Sequence, residues 1–378
     1  MWPPRLRVGP FRRGAFTSRL RSPRLTSQLG LLLAVAFGVC FLTGLLSHLI
    51  QHPPSWFWWP SRPVWLYRVT QGLHVATGLA AVPLLAAKLW SVFPKLFAWP
   101  PFRDPVHALE RLSVLVLASS ALFQLVTGVL NIARWYDPMP FGFIAAHYWT
   151  AWLAIGSLLV HIAVKLPIVR RALGATPRPT HGDGLSRRGL LAAVGATAAA
   201  VTVATVGQTV RPLRDLSVLA PRRPDTGPQG LPVNTSAAAA RIVVPVDFRF
   251  LLVGPRARHA LSLADLAALP QHTVSLPITC VEGWSADARW TGVRVADLLA
   301  LLGEPGATVL VESLQADSPY RSSTLAPPHA RDPLTLLALR LNGEVLHPDH
   351  GYPCRLIAPN RPGVLQTKWV SSMTVVSP

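Results

Sequence analysis

Sulfur is scarce in this sequence. Its 378 residues hold 3 cysteines and 3 methionines, and Cys40, Cys280 and Cys354 cannot build a disulfide framework or a four-thiolate metal site. At most one bridge, between Cys280 and Cys354, is open to the second half. Acidic residues are nearly missing from the first half: residues 1–210 carry 20 Lys and Arg against 4 Asp and Glu, while residues 211–378 carry 16 against 13. A basic surplus can serve nucleic acid. Here, however, the arginines punctuate long apolar runs instead of forming one patch with interleaved aromatics, which argues against a nucleic-acid partner and for membrane topology. The halves differ too much in character for one globular core.

Four apolar runs are long enough to span a hydrocarbon core, which takes roughly 20 residues of helix. They cover Leu29 to Ile50, Trp65 to Val92, Leu112 to Ala133 and Tyr148 to Val169, and a fifth, Gly189 to Val210, is milder and rich in Ala, Val and Thr. The tail before the first run holds Arg5, Arg7, Arg12, Arg13, Arg19, Arg21 and Arg24 without an acidic residue. The positive-inside rule therefore puts the N-terminus in the cytoplasm, with the basic connections 94–111 and 165–188 on the same side. "SWFWWPSRPVW" (residues 55–65) reads as an interfacial aromatic belt. Five crossings leave residues 211–378 outside the cytoplasm, on the periplasmic side of the cell membrane. Ser186, Arg187, Arg188, Gly189, Leu190 and Leu191 resemble a twin-arginine export signal, and two arginines before a membrane helix are equally a positive flank.

Ionisable side chains inside membrane segments are costly and default to functional roles. His48, His74, His147 and His161 qualify. His147 and His161 lie close to four turns apart on one helix, on one face and about 21 Å apart along its axis. That spacing suits two b-type haems stacked across the membrane, with His48 and His74 as the second ligands. Pairing by depth joins His48 with His147 and His74 with His161. The narrower alternative is a single haem on His74 and His161, with His48 and His147 merely interfacial.

Residues 211–232 form a Pro-, Gly- and Arg-rich linker. Beyond it, "RIVVPVDFRFLLVG", "HTVSLPITCVEG", "TVLVESL", "YPCRLIAPN" and "KWVSSMTVVS" read as strands, and "LSLADLAALP" and "RVADLLALLG" as short helices. This is a mixed α+β domain dominated by antiparallel pairing.

Two segments carry a family resemblance. "LPITCVEGWSADARWTGVRVADLLALLG" followed by "HGYPCRLIAPNRPGVLQTKWVSSMTVV" resembles the molybdopterin-binding domain of the sulfite oxidase family, which includes the catalytic subunit of periplasmic methionine-sulfoxide reductase. The resemblance covers about residues 230–378. It implies a molybdenum-molybdopterin cofactor with Cys280 as the metal's thiolate ligand, a soft donor held on a turn. It further implies that Asn234, Ser313, His350, Arg355, Gln366, Thr367 and Lys368 bind the pterin, whose phosphate and polar rings call for cations and amides. Two departures bear on substrate. Where sulfite oxidases follow the ligand with basic residues, this chain has Val281, Glu282, Gly283 and Trp284, and Ala237 and Ala238 replace the aromatic and acidic residues of the sulfoxide reductases. Tyr320 and Arg321 fall where a substrate-pocket tyrosine could lie.

The expected layout is a basic tail (1–28), a four-helix b-type cytochrome domain (29–170), the twin-arginine-like motif with a fifth anchor helix (171–210), a linker (211–232) and a molybdopterin-binding catalytic domain (233–378). The expected function is oxygen-atom transfer on a small substrate, with electrons passing between molybdenum, b haem and the quinone pool or another redox partner. The alternative is a cytochrome subunit whose outer domain only binds or assembles.

Overall fold

The computed structural model describes residues 15–97, 103–175 and 185–376, so the arginines of the first 14 residues and Arg178 lie outside the described residues. The chain divides into two compact units, one of residues 1–43 and 73–205, the other of residues 44–72 and 206–378.

Five helices are long and apolar enough to cross a membrane. They are α1 (Pro23–Gln51), α2 (Leu66–Val92), α3 (Pro105–Ala133), α4 (Phe143–Gly174) and α5 (Arg187–Val206). Each except α2 runs past the apolar window read from sequence at one or both ends, and at the starts of α3 and α5 a polar side chain caps the extension. Asp104 accepts the backbone N–H of His107 at 2.8 Å with Pro105 at the first helical position, so α3 starts seven residues before Leu112. Ser186 Oγ likewise accepts from the Gly189 N–H (3.0 Å), which makes the start of the twin-arginine-like stretch a helix cap. A small core of Leu25, Leu29, Leu33, Ala81, Leu84, Leu85 and Ala121 holds the helical unit together. Large apolar side chains elsewhere face outward, among them Leu109, Leu115, Leu153 and Leu159.

The second unit holds two five-stranded sheets. The first contains β1 (Phe250–Val253), β2 (Arg258–Leu261), β5 (Val309–Ser313), β6 (Ser322–Leu325) and β10 (Val370–Val375), in the order β2-β1-β10-β5-β6. The second contains β3 (His272–Thr279), β4 (Ser285–Arg294), β7 (Leu336–Leu341), β8 (Glu344–Val345) and β9 (Arg355–Ile357), with β9 paired to β7. Only β1 and β10 pair in parallel among these strands. Short helices α6 (Leu263–Ala268), α7 (Val295–Leu301) and α8 (Pro327–Ala330) connect them, and α6 opens on a Ser262–Asp265 capping box.

Two sequence expectations are corrected. "RIVVPVDFRFLLVG" forms a strand only over Phe250–Val253, since Pro245 has no N–H to give a ladder and Arg241 sits at φ 50°. "YPCRLIAPN" shortens to Arg355–Ile357. The two cores are distinct: Cys354 is buried with Phe250, Leu298 and Val370, whereas Cys280 is buried with Trp284, Trp290 and Ile357. Both thiols are free, so the bridge between them does not form.

Where β4 meets β7 the register shifts between Thr291 and Gly292. A β-carbon at Gly292 would lie 2.1 Å from the Leu337 carbonyl oxygen, so only glycine lets the strands approach there.

Candidate cofactor sites

The β3–β4 hairpin carries Cys280 in a turn that spans residues 280–284. Its geometry is set by backbone bonds: Cys280 N–H donates to the Trp284 carbonyl (2.9 Å) and Gly283 N–H to the Cys280 carbonyl (3.1 Å). Gly283 takes φ 92°, which a side chain would resist. The turn holds a dense polar group despite its burial. Asn234 Nδ2 donates to Cys280 Sγ at 2.9 Å and lies 3.3 Å from Glu282 Oε1, while Trp284 Nε1 donates to Glu282 Oε2 at 3.2 Å. Cys280 is thus a sulfur acceptor fixed by a carboxamide, unlike Cys354, whose thiol is pushed up by burial alone. A donor aimed at the sulfur favours the thiolate that a soft metal needs.

The other expected pterin residues surround Gly351. Arg355 is buried, one guanidinium nitrogen donates to the His350 carbonyl (3.2 Å), and its charge lies over the Trp290 ring at 5.4 Å. Burial lowers its pKa to about 9, which leaves it a cation at neutral pH. Lys368 Nζ donates to the carbonyls of Thr235 (2.6 Å) and Asp349 (2.9 Å), tying the segment that bears Asn234 to the His350 loop. Gly351, at φ 110°, lets these two basic stems close in: a β-carbon there would sit 3.1 Å from Lys368 Cβ and 3.2 Å from Arg355 Cβ.

His350 Nε2 donates to the Pro228 carbonyl at 2.8 Å. Its pKa falls to about 4, chiefly through burial and with Arg355 and Lys368 nearby, so the ring is neutral at pH 7. Ser313 and Thr367 brace the loop: Ser313 Oγ donates to the Lys368 carbonyl (2.7 Å), and the Thr367 and Ser323 hydroxyls share a 2.7 Å bond. Gln366 Oε1 accepts the Ala358 N–H at 2.9 Å.

Among the described residues of β9 and the loop after it, the buried donor atoms Arg355 Nε, Arg361 Nη1 and Gln366 Nε2 have no protein partner. Orphaned donors of this kind are costly unless a ligand meets them. All three donate, and two belong to cations, which is the complement of a phosphorylated polar heterocycle. The residues therefore fit the pterin.

Arg361 was not singled out from the sequence. It is buried, donates to the Thr324 carbonyl (3.0 Å) and keeps a pKa of about 10 against burial. Its signal was present in "APNRPG", an arginine inside a Pro- and Gly-containing loop between two strands. Tyr320, expected near the substrate, is part-exposed, and its hydroxyl pKa is raised by burial and by the nearby Cys280. Arg321 is exposed.

In the helical unit, His74 and His147 come together with ring centroids 6.4 Å apart and planes at 75°. Imidazole nitrogens bind metals at about 2 Å, so two rings on opposite faces of one ion have centroids roughly 6 Å apart. His74 Nδ1 donates to the Cys40 carbonyl at 2.8 Å. Thr127 Oγ1 gives its proton to the Phe123 carbonyl (2.7 Å), so the 3.1 Å contact with His147 is donated by His147 Nδ1. In their neutral forms both rings would therefore carry the proton on Nδ1, the tautomer that leaves Nε2 to ligate a metal.

This pairing differs from the one expected by depth. His48 instead contacts His52, with centroids 4.9 Å apart, and His161 has Lys88, Lys165 and Glu110 within electrostatic range. Lys165 and Glu110 form an ion pair between α4 and α3.

Residues 239–378 match the family model of the oxidoreductase molybdopterin binding domain. Over 162 residues the chain is 32% identical to mitochondrial sulfite oxidase of Rattus norvegicus, covering 35% of this chain and 30% of that one. Over 120 residues it is 34% identical to a chain of Azospira oryzae provisionally named protein-methionine-sulfoxide reductase subunit YedZ1, covering 32% of this chain and 45% of the other. Among solved structures, the sulfane dehydrogenase SoxCD of Paracoccus pantotrophus aligns with a TM-score of 0.33 at 22% identity, over 40% of this chain and 44% of that chain. The chain spans less than half the length of these relatives. Residues 239–378 thus resemble a molybdopterin-binding oxidoreductase domain of the sulfite-oxidase type.

Proposed function

We propose that the chain is a membrane-anchored molybdenum oxidoreductase. In this reading it exchanges an oxygen atom with a small substrate outside the cytoplasm and passes electrons between the metal centre, a b-type haem and the quinone pool. The observation that carries it is the set of buried donor atoms without protein partners, Arg355 Nε, Arg361 Nη1 and Gln366 Nε2, together with a cysteine whose sulfur accepts from Asn234. Cys280 would hold the metal, and Asn234, His350, Arg355, Arg361, Gln366 and Thr367 the pterin, with Ser313 and Lys368 fixing the loops. When bound, the cofactor supplies two-electron oxygen-atom chemistry that no side chain here provides.

The protein's own part is to hold the ligand sulfur, neutralise the phosphate and keep water out with Trp284 and Trp290, both buried. The buried Glu282 carboxylate, two residues after the ligand, opposes an oxyanion such as sulfite and favours a neutral substrate. His74 and His147 would carry one haem through their Nε2 atoms. Five helices of spanning length would anchor the chain, with residues 206–378 on the periplasmic side.

The test is metal analysis with a reduced-minus-oxidised optical spectrum on the detergent-purified full chain and on Cys280→Ser. Molybdenum near one per chain, lost in the variant while the haem bands persist, supports the reading. Haem without molybdenum in the parent chain would leave an electron-transfer subunit with a binding module, and absence of both would sink the proposal.

A further inference from the structure

The connection between α1 and α2 belongs to the same unit as the β-rich domain, and its attachment points are specific. Asn360 anchors it: Tyr67 N–H donates to Asn360 Oδ1 (2.7 Å), Trp59 Nε1 to the Asn360 carbonyl (2.8 Å), and Asn360 Nδ2 to the Pro60 carbonyl (2.7 Å). Arg62 forms a two-pronged pair with the buried Asp332 at 3.0 and 3.1 Å. The remaining two attachments land on the Cys280 turn and on Ser285, the first residue of β4, which follows it. Gln71 Nε2 donates to the Val281 carbonyl at 2.7 Å, and Arg68 Nε donates to Ser285 Oγ at 2.8 Å while the same guanidinium pairs with Asp287.

The orientation of Gln71 is over-determined. Its Oε1 accepts from Tyr67 Oη (3.4 Å), whose hydroxyl also meets Ser47 Oγ (3.1 Å), and the carbonyl of Val281 can only accept, so the amide nitrogen must face the turn. Gln71 and Tyr67 are both buried. Ser285, held by Arg68, is bonded across the base of the turn to Thr279 (2.9 Å). The turn that carries the sulfur is thus gripped within, at Val281, and at its end, at Ser285, from one helix face, residues 68 and 71, whose spacing of three places both side chains on neighbouring positions of that face.

We propose that Gln71 is a positioning residue for the metal ligand: its carboxamide fixes the Val281 carbonyl, and through it the direction in which Cys280 presents its sulfur. The role rests on the reading of Cys280 as the ligand, but it acts on the turn whether or not metal is bound. Arg68 is the second arm of the same grip, and Arg62 holds the connection without touching the turn.

The full chain, produced in a host that makes no molybdopterin, allows a test free of cofactor. The rate of Cys280 alkylation by iodoacetamide, read by mass spectrometry with Cys354 in the same chain as internal reference, reports how firmly the turn is held. Gln71→Met keeps the volume and removes the donor. It is expected to raise the Cys280 rate about tenfold with Cys354 unchanged, as loss of one buried bond allows, whereas Arg62→Gln should leave the ratio of the two rates at the parent value. In molybdenum-loaded protein, Gln71→Met should keep the metal content and shift the Mo(V) resonance.

An unchanged Cys280 rate in Gln71→Met overturns the proposal, as does a parallel rise at Cys354 or an equal effect of Arg62→Gln, since both would mean general loosening. If Gln71→Met does not fold, Arg68→Met carries the same comparison on the other arm, with a rise of about threefold expected and no rise counting against the grip. Should Cys280→Ser retain molybdenum, the ligand reading fails, and the alkylation ratio still decides whether Gln71 holds the turn.

Discussion

The two units treat polar and apolar groups in opposite ways. In the helical unit Leu109, Leu115 and Leu159 are more than 60% exposed, and few large side chains are fully covered. In the β-rich unit the cations Arg355 and Arg361 are each only 6% exposed, with Trp290 and Leu356 fully buried around them. Apolar surface on that scale asks for lipid or protein around it, and buried cations ask for an anion. Each unit is incomplete in water for its own reason, so each identifies its missing partner by the chemistry it leaves open.

The sharpest way to break this comparison is to remove one partner and watch the other. If His74 and His147 hold a haem as proposed, His147→Ala should abolish its absorbance, because Nε2 is lost while Thr127 and Gln124 remain on the neighbouring helix, and molybdenum content should stay at the parent level. Loss of both cofactors together, measured by optical spectrum and metal analysis, would show that the units do not load independently.

Arg355→Met sharpens the other side. Its cation is buried with Nε unpartnered, and replacing such a charge by an apolar side chain of similar volume is often neutral or stabilising. The variant should bind molybdenum at least about tenfold less yet melt no lower than the parent in cofactor-free form, as differential scanning fluorimetry can show. A large drop in melting temperature would mean that the guanidinium serves the fold first.

Gly351→Ala should come next in size. Its φ of 110° and the β-carbons of Lys368 and Arg355 at 3.1–3.2 Å leave no relaxed place for a methyl group, and the cost should be about 3 kcal/mol in chemical denaturation of the second unit.

The smallest effect concerns pH. Burial first, then Arg361, lowers His329 to about 3 from its ordinary 6.5, with Asp332 opposing. Because the folded ring resists a proton that the unfolded ring accepts, its contribution is present above pH 6.5 and is lost as pH falls towards 3. At pH 5 the loss should be about 2 kcal/mol. His329→Gln should flatten that part of the stability profile in denaturation curves taken between pH 7 and 5.

Some of this was legible in the sequence because it is local. The helices α1 to α5 announce themselves by run length, and the motif singles out Cys280 and Asn234, which the fold brings into contact. The pairing of His74 with His147 was not legible, since depth along a helix says nothing about which neighbour a face meets. Gln71 was hidden for a different reason: its partner is the backbone carbonyl of Val281, 210 residues away, and a carbonyl has no sequence signature. "SWFWWPSRPVW" reads as an aromatic belt, and its Trp56, Trp58 and Trp65 are exposed. Trp59 alone turns inward to Asn360, a distinction that composition cannot make.

Asn360 also imposes an order of events. Residues 59 to 67 are synthesised some 300 residues before the asparagine that accepts the Tyr67 N–H and donates to the Pro60 carbonyl. Until the last strands emerge and β9 pairs with β7, that early connection has no partner for its backbone. A chain that ends prematurely would therefore leave a defect some 300 residues upstream, and a loop synthesised well before its partner would be among the last to become native.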